Sequence, residues 1–280
     1  MNNKRIKRLF FITGCPAFAG FVFMYLYPFI RTVWYSLINN TFQKRFAGFK
    51  NYADVLANPY FRRAAYNTAV FSVTGVTFII VLSLLLAFGV YRLSEKYTFI
   101  KNFFLVPLLL PTAAIIFVWQ SVFLSDGYYF FAKEAAFTDF WTMLPVYLIY
   151  IWKNTGLNLI ILSAALASIP GEVIEAASLD GAAGFKLHRY VTLPLVSPLL
   201  LFVFVLSLVN SLRTFRESFL FFRTNYPPDP AYTIQFYINN HFLKLNYPTL
   251  TAASVMFTVS LVLLLSLVYR WENKLNEKTY

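Results

Sequence analysis

The chain has 280 residues, 59% of them hydrophobic and 13% charged, with a mean hydropathy of +0.59. A soluble domain carries about a quarter of its residues as Asp, Glu, Lys or Arg, so a water-soluble fold is excluded and a polytopic, all-α membrane protein is expected. The net charge of +12 does not indicate a nucleic-acid partner, because Lys and Arg lie scattered between apolar runs and form no basic stripe.

The first eight residues, MNNKRIKR, precede an apolar run from Leu9 to Ile30 that is long for a signal-peptide core. FIRTVWYSL follows it where a small-residue cleavage pattern would stand, so it reads as a retained first span. The single Cys15 lies inside this run and offers neither an intrachain disulfide nor a metal-binding pair. Further runs of about 20 apolar residues, enough to cross a hydrocarbon core, are Thr68–Val90, Phe103–Leu124, Trp141–Ala165, Leu199–Phe219 and Thr251–Tyr269. Six spans in one domain, residues 1–280, put both termini on one side of the membrane. Tyr25, Tyr27, Trp34, Tyr91, Trp141, Tyr269 and Trp271 fall near span ends, where amphipathic rings favour headgroup depth.

Orientation follows from the basic residues of the short connections. Residues 1–8, 91–102, 167–197 and 270–280 hold twelve Lys and Arg; 31–67, 125–140 and 220–250 are longer in sum and hold nine. The bias places both termini and the 167–197 interval in the cytoplasm.

The sequence assembles no hydrolytic, redox or metal site. His188 and His241 fall on opposite sides in this topology and cannot share a metal or a proton relay. No GxxxxGK[ST] is present, so any ATP use would come from another subunit, and no cofactor is expected on this chain.

Two polar clusters lie at membrane depth. IYIWKNTGLNLII puts Lys153, Asn154, Thr155, Gly156 and Asn158 near the centre of the fourth span, and a lysine there is costly without a polar partner. Two readings stand: an interface-paired or snorkelling lysine beside a glycine-weakened turn, or the lining of a solute path. In the fifth span LVNSLRTFRESFLFF holds Asn210, Arg213, Arg216 and Glu217, and the last three, at i, i+3 and i+4, share one helical face with Arg213 able to pair with Glu217. These too read either as a polar wall for a hydroxyl-rich solute or as charges at the outer interface, since a span from Leu199 ends near Phe219.

Between these spans runs IPGEVIEAASLDGAAGFKLHRYVTLPLVSP. Pro170-Gly171 interrupts the fourth span, and Glu172–Leu179 reads as a short helix with acids near its first turn. Asp180-Gly181 is a turn signal, Ala182–Tyr190 reads as a second short helix, and Pro194 and Pro198 lead back into the membrane. The product is a compact knob with an alanine face at Ala176 and Ala177. A plain solvated loop would account for the charge but not for the small residues or the framing prolines.

Glu175-Ala176-Ala177, Asp180-Gly181-Ala182 and the closing Val191-Thr192-Leu193-Pro194 resemble the EAA loop in permease subunits of binding-protein-dependent ABC importers. The resemblance covers nearly the whole chain and is to the maltose-type sugar permeases, on the side of the MalF-like partner. FAGFKNYADVLANPYFRRAAYNTAVFS is similar to that group's external segment in its Gly-x-x-Asn-Tyr and Asn-Thr elements, FFLVPLLLPTAAIIFVW to its third span, and WKNTGLNLIILSAALASIP to the approach to the loop. The chain departs from the pattern at His188, where the group has Phe, and at RTNYPPDP, which replaces a Gly-Gly-Pro turn. It also lacks the extra leading spans and large external insertions of some members.

The resemblance implies a transporter subunit, not an enzyme, in a bacterial cytoplasmic membrane. ATP and Mg would be held by a cytoplasmic ATPase dimer, a MalG-like second permease would complete the path, and an extracytoplasmic binding protein would deliver a mono- or oligosaccharide. Glu175, Ala176, Ala177, Asp180, Gly181, Ala182 and Pro194 would form the coupling element, and Lys153, Asn154, Asn158, Asn210, Arg213, Arg216 and Glu217 are the candidates for the solute path. A phosphorylated polyol is the alternative solute. A polytopic membrane enzyme and a scaffold that uses the same knob to bind a cytoplasmic partner are the alternatives of class.

Overall fold

A computed structural model describes residues 14–92, 98–123 and 139–276, with backbone alone for 91, 92, 98–102, 139, 140 and 271–276. The basic run 1–8, the start of the first span at Leu9 and most of the 125–140 connection lie outside the described residues. Among the described residues the structure is helical, with an isolated antiparallel bridge between Ile38 and Phe46.

Helix α1 is Gly14–Ser36, α2 Lys50–Ala57, α3 Pro59–Arg92, α4 Thr98–Leu109, α5 Thr112–Phe123 and α6 Asp139–Ala167. Next come α7 (Gly171–Leu179) and α8 (Phe185–Leu187), which passes through a π-helical turn, His188–Thr192, into α9 (Leu193–Leu212). The chain finishes with α10 (Phe215–Phe222), α11 (Ile234–Leu243) and α12 (Tyr247–Asn276). Five stretches are long and apolar enough to cross a membrane: Gly14–Ser36, Pro59–Val90, Trp141–Ala167, Phe185–Phe222 and Tyr247–Arg270. Counting the bent pair α4–α5 as one broken span makes six.

The straight span expected at Phe103–Leu124 is broken: Phe103–Leu109 and Thr112–Phe123 meet at 113°. Pro111 sets the break. Its ring disfavours helical backbone at Leu110, and its own carbonyl opens the next helix by accepting from the N–H groups of Ala114 and Ile115.

The second short helix expected over Ala182–Tyr190 begins only at Phe185, after Gly184 at φ +55°, and runs without a gap into α9. Pro194, in the first turn of α9, has no N–H for the carbonyl four residues back. The backbone widens there into the π turn, in which Leu193 N–H bonds to the His188 carbonyl.

Within the described residues, contacts divide the chain into two units, 14–62 with 237–269 and 63–236 with 270–276. In the first, Asn51 Nδ2 donates to the carbonyls of Ser36 and Ile38, each at 2.8 Å, and Tyr52 shares a 2.6 Å hydrogen bond with Ser36 Oγ. The Asn-Tyr element thus fastens the connection back onto the end of α1. Phe61 packs edge-on against the buried Tyr237, whose ring also lies tilted against that of His241.

In the second unit Ala87, Leu159, Leu162, Leu166, Val196 and Val203 form a core between α3, α6 and α9. Phe71, Ile79, Val146 and Tyr150 form another along α3 and α6. Ile115, Ile116, Ile149 and Phe221 fill the space where α5, α6 and α10 meet. The Asn-Thr element has a plain role: Asn67 Nδ2 donates to the Asp229 and Tyr232 carbonyls, and Thr68 Oγ1 accepts from Ile234 N–H. It ties α3 to the loop that follows α10.

Candidate functional site

Tyr150, Asn154 and Asn158 stand at i, i+4 and i+8 on α6 and face α9. Tyr150 Oη donates to the Ser207 carbonyl at 2.8 Å, Asn158 Nδ2 to Ser207 Oγ at 2.8 Å, and Asn210 Nδ2 to Asn154 Oδ1 at 2.9 Å. The structure therefore brings Asn154 and Asn210 together and ties Asn158 to the same helix. Asn158, 1% exposed, acts in this conformation as a strut between helices. Tyr150 and Ser207 did not stand out in the sequence, although each shares the register of a named asparagine.

Lys153 points away from this stripe. Its Nζ lies 2.6 Å from Glu217 Oε1 and 3.2 Å from Thr112 Oγ1. Three irregularities converge here: the break at Pro111 that presents Thr112, the lysine of α6, and the break between α9 and α10 that presents Glu217. The pairing of Arg213 with Glu217 on a continuous helical face is not what the structure shows. The helix ends at Leu212, where Arg213 and Thr214 N–H bond only three residues back, to Asn210 and Ser211. The turn leaves Arg213 and Arg216 exposed and Glu217 buried. The lysine has its counter-ion from another helix, which a search for acids on its own helix cannot find. Glu217 Oε2 is buried with no hydrogen-bond partner among the described residues. Just past the end of α10, Arg223 Nη2 donates to Gln120 Oε1, and Gln120 Nε2 donates to the Leu220 and Phe221 carbonyls, clamping α5 onto α10.

Gly156 is a packing residue rather than a weak point in α6. A Cβ there would be driven into the carbonyl group of Phe104, so α4 lies directly on the backbone of α6. Gly156→Ala is expected to lower stability by about 1–3 kcal/mol through overpacking. Gly89→Ala, where a Cβ meets nothing within 4 Å, is the control and is expected to be neutral or slightly stabilising. Thermal unfolding of both variants in detergent checks this.

A cavity of about 480 Å³ opens between α3 and α6, lined by Phe71, Thr74, Phe78, Met143 and Tyr147 among others. Its walls are mostly apolar, and the Thr74 and Tyr147 hydroxyls bond each other at 2.6 Å. It offers few free groups to a hydroxyl-rich solute.

The interval between α6 and α9 is the exposed knob that the sequence suggests. Pro170 precedes α7, which ends on Asp180. Gly181 N–H bonds to the Ser178 carbonyl at 3.1 Å and Ala182 N–H to the Ala177 carbonyl at 2.9 Å, with Gly181 at φ +82°. This is a Schellman cap, and it gives the spacing of the motif a physical reason: its second Ala, its Gly and its last Ala occupy the C3, C′ and C″ positions. Glu175 and Ala176 are exposed, as are Leu179, at 90%, and Phe185, at 76%. His188, the residue that departs from the motif, packs its ring 4.5 Å from Phe88 and serves as an aromatic there.

Residues 79–279, well over half of the chain, match the family described as binding-protein-dependent transport system inner membrane component. The chain belongs to that family. Its relatives include the lactose transport system permease protein of Rhizobium radiobacter, 27% identical and matched over 94% of this chain and 93% of that one. The trehalose/maltose transport system permease protein of Thermococcus litoralis is 26% identical over 95% and 93%. In fold the chain is similar to a subunit in the crystal structure of a bacterial alginate ABC transporter in complex with an alginate pentasaccharide-bound periplasmic protein. The TM-score is 0.80, at 22% identity and 97% coverage of each chain. For this inner-membrane family member the exposed knob and the polar contacts among α5, α6, α9 and α10 are the two places where function is to be sought.

Proposed function

We propose that this chain is the permease subunit of an ABC importer that moves a mono- or oligosaccharide across a bacterial cytoplasmic membrane. The observation that carries the reading is the match, over more than nine-tenths of both chains, to permeases named for lactose and for trehalose/maltose transport. In this reading both termini and the knob are cytoplasmic, and a second, MalG-like permease supplies the other half of the path. A cytoplasmic ATPase dimer seats the knob of each permease in a cleft, with Glu175 as the charged contact and Ala176 and Ala177 as the close-packed face. Closure of that dimer on ATP moves the spans as rigid bodies between inward- and outward-facing states. ATP and Mg belong to the ATPase subunits.

Lys153 and Glu217 are the proposed solute contacts, with the Asn154–Asn210 pair as a second, separate candidate on the face of α6 turned to α9. An ammonium and a carboxylate with one unpaired oxygen can donate to and accept from sugar hydroxyls once the helices part. Arg213 and Arg216, exposed on the same stretch, favour a second reading in which the solute is a phosphorylated polyol. The relatives include an sn-glycerol-3-phosphate transport system permease protein of Pectobacterium atrosepticum, 27% identical over 199 residues.

Affinity purification of the chain from its own membrane tests the assignment. Co-purification of an ATPase and a second EAA-bearing permease is expected, whereas recovery of the chain alone with turnover of a lipid-like substrate would make it an enzyme. The ligand of the binding protein that stimulates the purified complex then separates neutral sugar from phosphorylated polyol.

A further inference from the structure

The segment 37–50, LINNTFQKRFAGFK, contains no acid and three cations, Lys44, Arg45 and Lys50. It also exposes three phenylalanines: Phe42 at 94%, Phe46 at 71% and Phe49 at 78%. Such rings in an aqueous loop are costly, and here they alternate with positive charge. The segment is not a loose loop. Asn39 N–H bonds to the Arg45 carbonyl at 2.9 Å and Ala47 N–H to the Leu37 carbonyl at 2.7 Å, so the chain doubles back on itself. Asn40 Oδ1 accepts from Phe42 and Gln43 N–H and shapes the tip, and Asn51 holds the base against Ser36 and Ile38.

This geometry fixes depth. Leu37 and Ile38 directly follow α1, a helix able to span the membrane, and Phe46 is bridged to Ile38, so the tip stays close to the span end. The last turns of α1 carry rings of the type found at headgroup level. Arg31 donates to Tyr35 Oη at 3.0 Å and lies over the Tyr35 ring at 5.2 Å, with Trp34 exposed beside it.

We propose that the hairpin at residues 37–50 is an interfacial anchor: Phe42, Phe46 and Phe49 enter the headgroup layer of the bilayer, and Lys44, Arg45 and Lys50 contact the phosphates of anionic phospholipid. Charge complementarity and chain continuity with α1 select the bilayer over a soluble protein partner. The hairpin carries only one sign of charge, and it is held at the membrane surface by hydrogen bonds to the residues that leave the span. Lysine and arginine near an anionic leaflet each add to such binding, and apolar rings supply the rest. The anchor would hold the end of α1 at constant depth.

The test uses the purified transporter complex in nanodiscs, which expose both faces, so the outcome does not depend on the membrane orientation or on the solute proposed above. A nitroxide is attached at Phe42→Cys in a Cys15→Ser background, and its collisions with oxygen and with an aqueous nickel chelate are measured. In discs of phosphatidylcholine with phosphatidylglycerol, a headgroup reading is expected: high oxygen and low chelate collision. The chelate collision is expected to rise when phosphatidylglycerol is omitted or when Lys44→Gln and Arg45→Gln are introduced. Full chelate exposure in both lipids would overturn the anchor. Chelate protection that appears only on adding the binding protein would also overturn it and make the hairpin a protein-docking surface. A label immobile and closed to both reagents would overturn it too, by burying the hairpin against another subunit.

Discussion

Removing one member of the Lys153–Glu217 pair, as in Lys153→Met or Glu217→Leu, is expected to destabilise the subunit by about 3 kcal/mol. That is the low end of what stripping one partner from a buried ion pair costs, since the lysine keeps some exposure. The side chains are 25% and 10% exposed and meet at 2.6 Å. The lone partner would be left as a charge in an apolar setting, with only Thr112 to answer the lysine or nothing to answer the acid. The double variant, Lys153→Met with Glu217→Leu, is expected to recover most of the loss, because it removes both charges together. Thermal unfolding in detergent reads this cycle. Solute uptake separates the two roles: with the fold restored and the proposed solute contacts gone, the double variant is expected to stay transport-deficient. Recovery of uptake together with stability would make the pair purely structural.

Substitution of Gly181 is expected to have the largest effect on coupling and little on insertion. A side chain at φ +82° meets no neighbouring atom within 4 Å but does meet its own backbone, a strain of about 1–2 kcal/mol for an ordinary L-residue. The cap then opens, and with it the angle between α7 and the chain leading to α8. Because α7 has no buried residue, the membrane-embedded helices keep their packing. A graded series is expected: Gly181→Asn, which tolerates the left-handed region, loses least, Gly181→Ala more, and Gly181→Asp most, since it also adds charge to the proposed docking face. Retention of the ATPase through purification, followed by subunit ratio, gives the order.

Much of this architecture is legible in the residues themselves. Apolar run length marks the helices long enough to cross a membrane, because a span of about 20 residues has few alternatives in a bilayer. The knob is legible for a local reason: a Schellman cap is written in consecutive residues, Ala177 to Ala182. What the sequence hides is geometry between elements. Pro111 announces a break but not its angle, and Pro194 announces a lost hydrogen bond but not that the helix would absorb it as a π turn. Lys153 and Glu217 are each visible as costly charges, yet their pairing needs the breaks at Pro111 and Arg213 to be in place first. Arg213, Arg216 and Glu217 would share a face only on a continuous helix, and the chain turns there instead. Gly156 reads as a weak point in isolation and becomes a contact surface only when Phe104 lies on it.

In the proposed function, a partner's ATP cycle moves this inner-membrane subunit through its knob. Stimulation of ATP hydrolysis by solute-loaded binding protein, in proteoliposomes carrying the whole complex, tests it most directly. Wild type is expected to show stimulation and the Gly181→Asp complex to show none, with the variant subunit inserted at normal levels. Undiminished stimulation in Gly181→Asp would contradict the account.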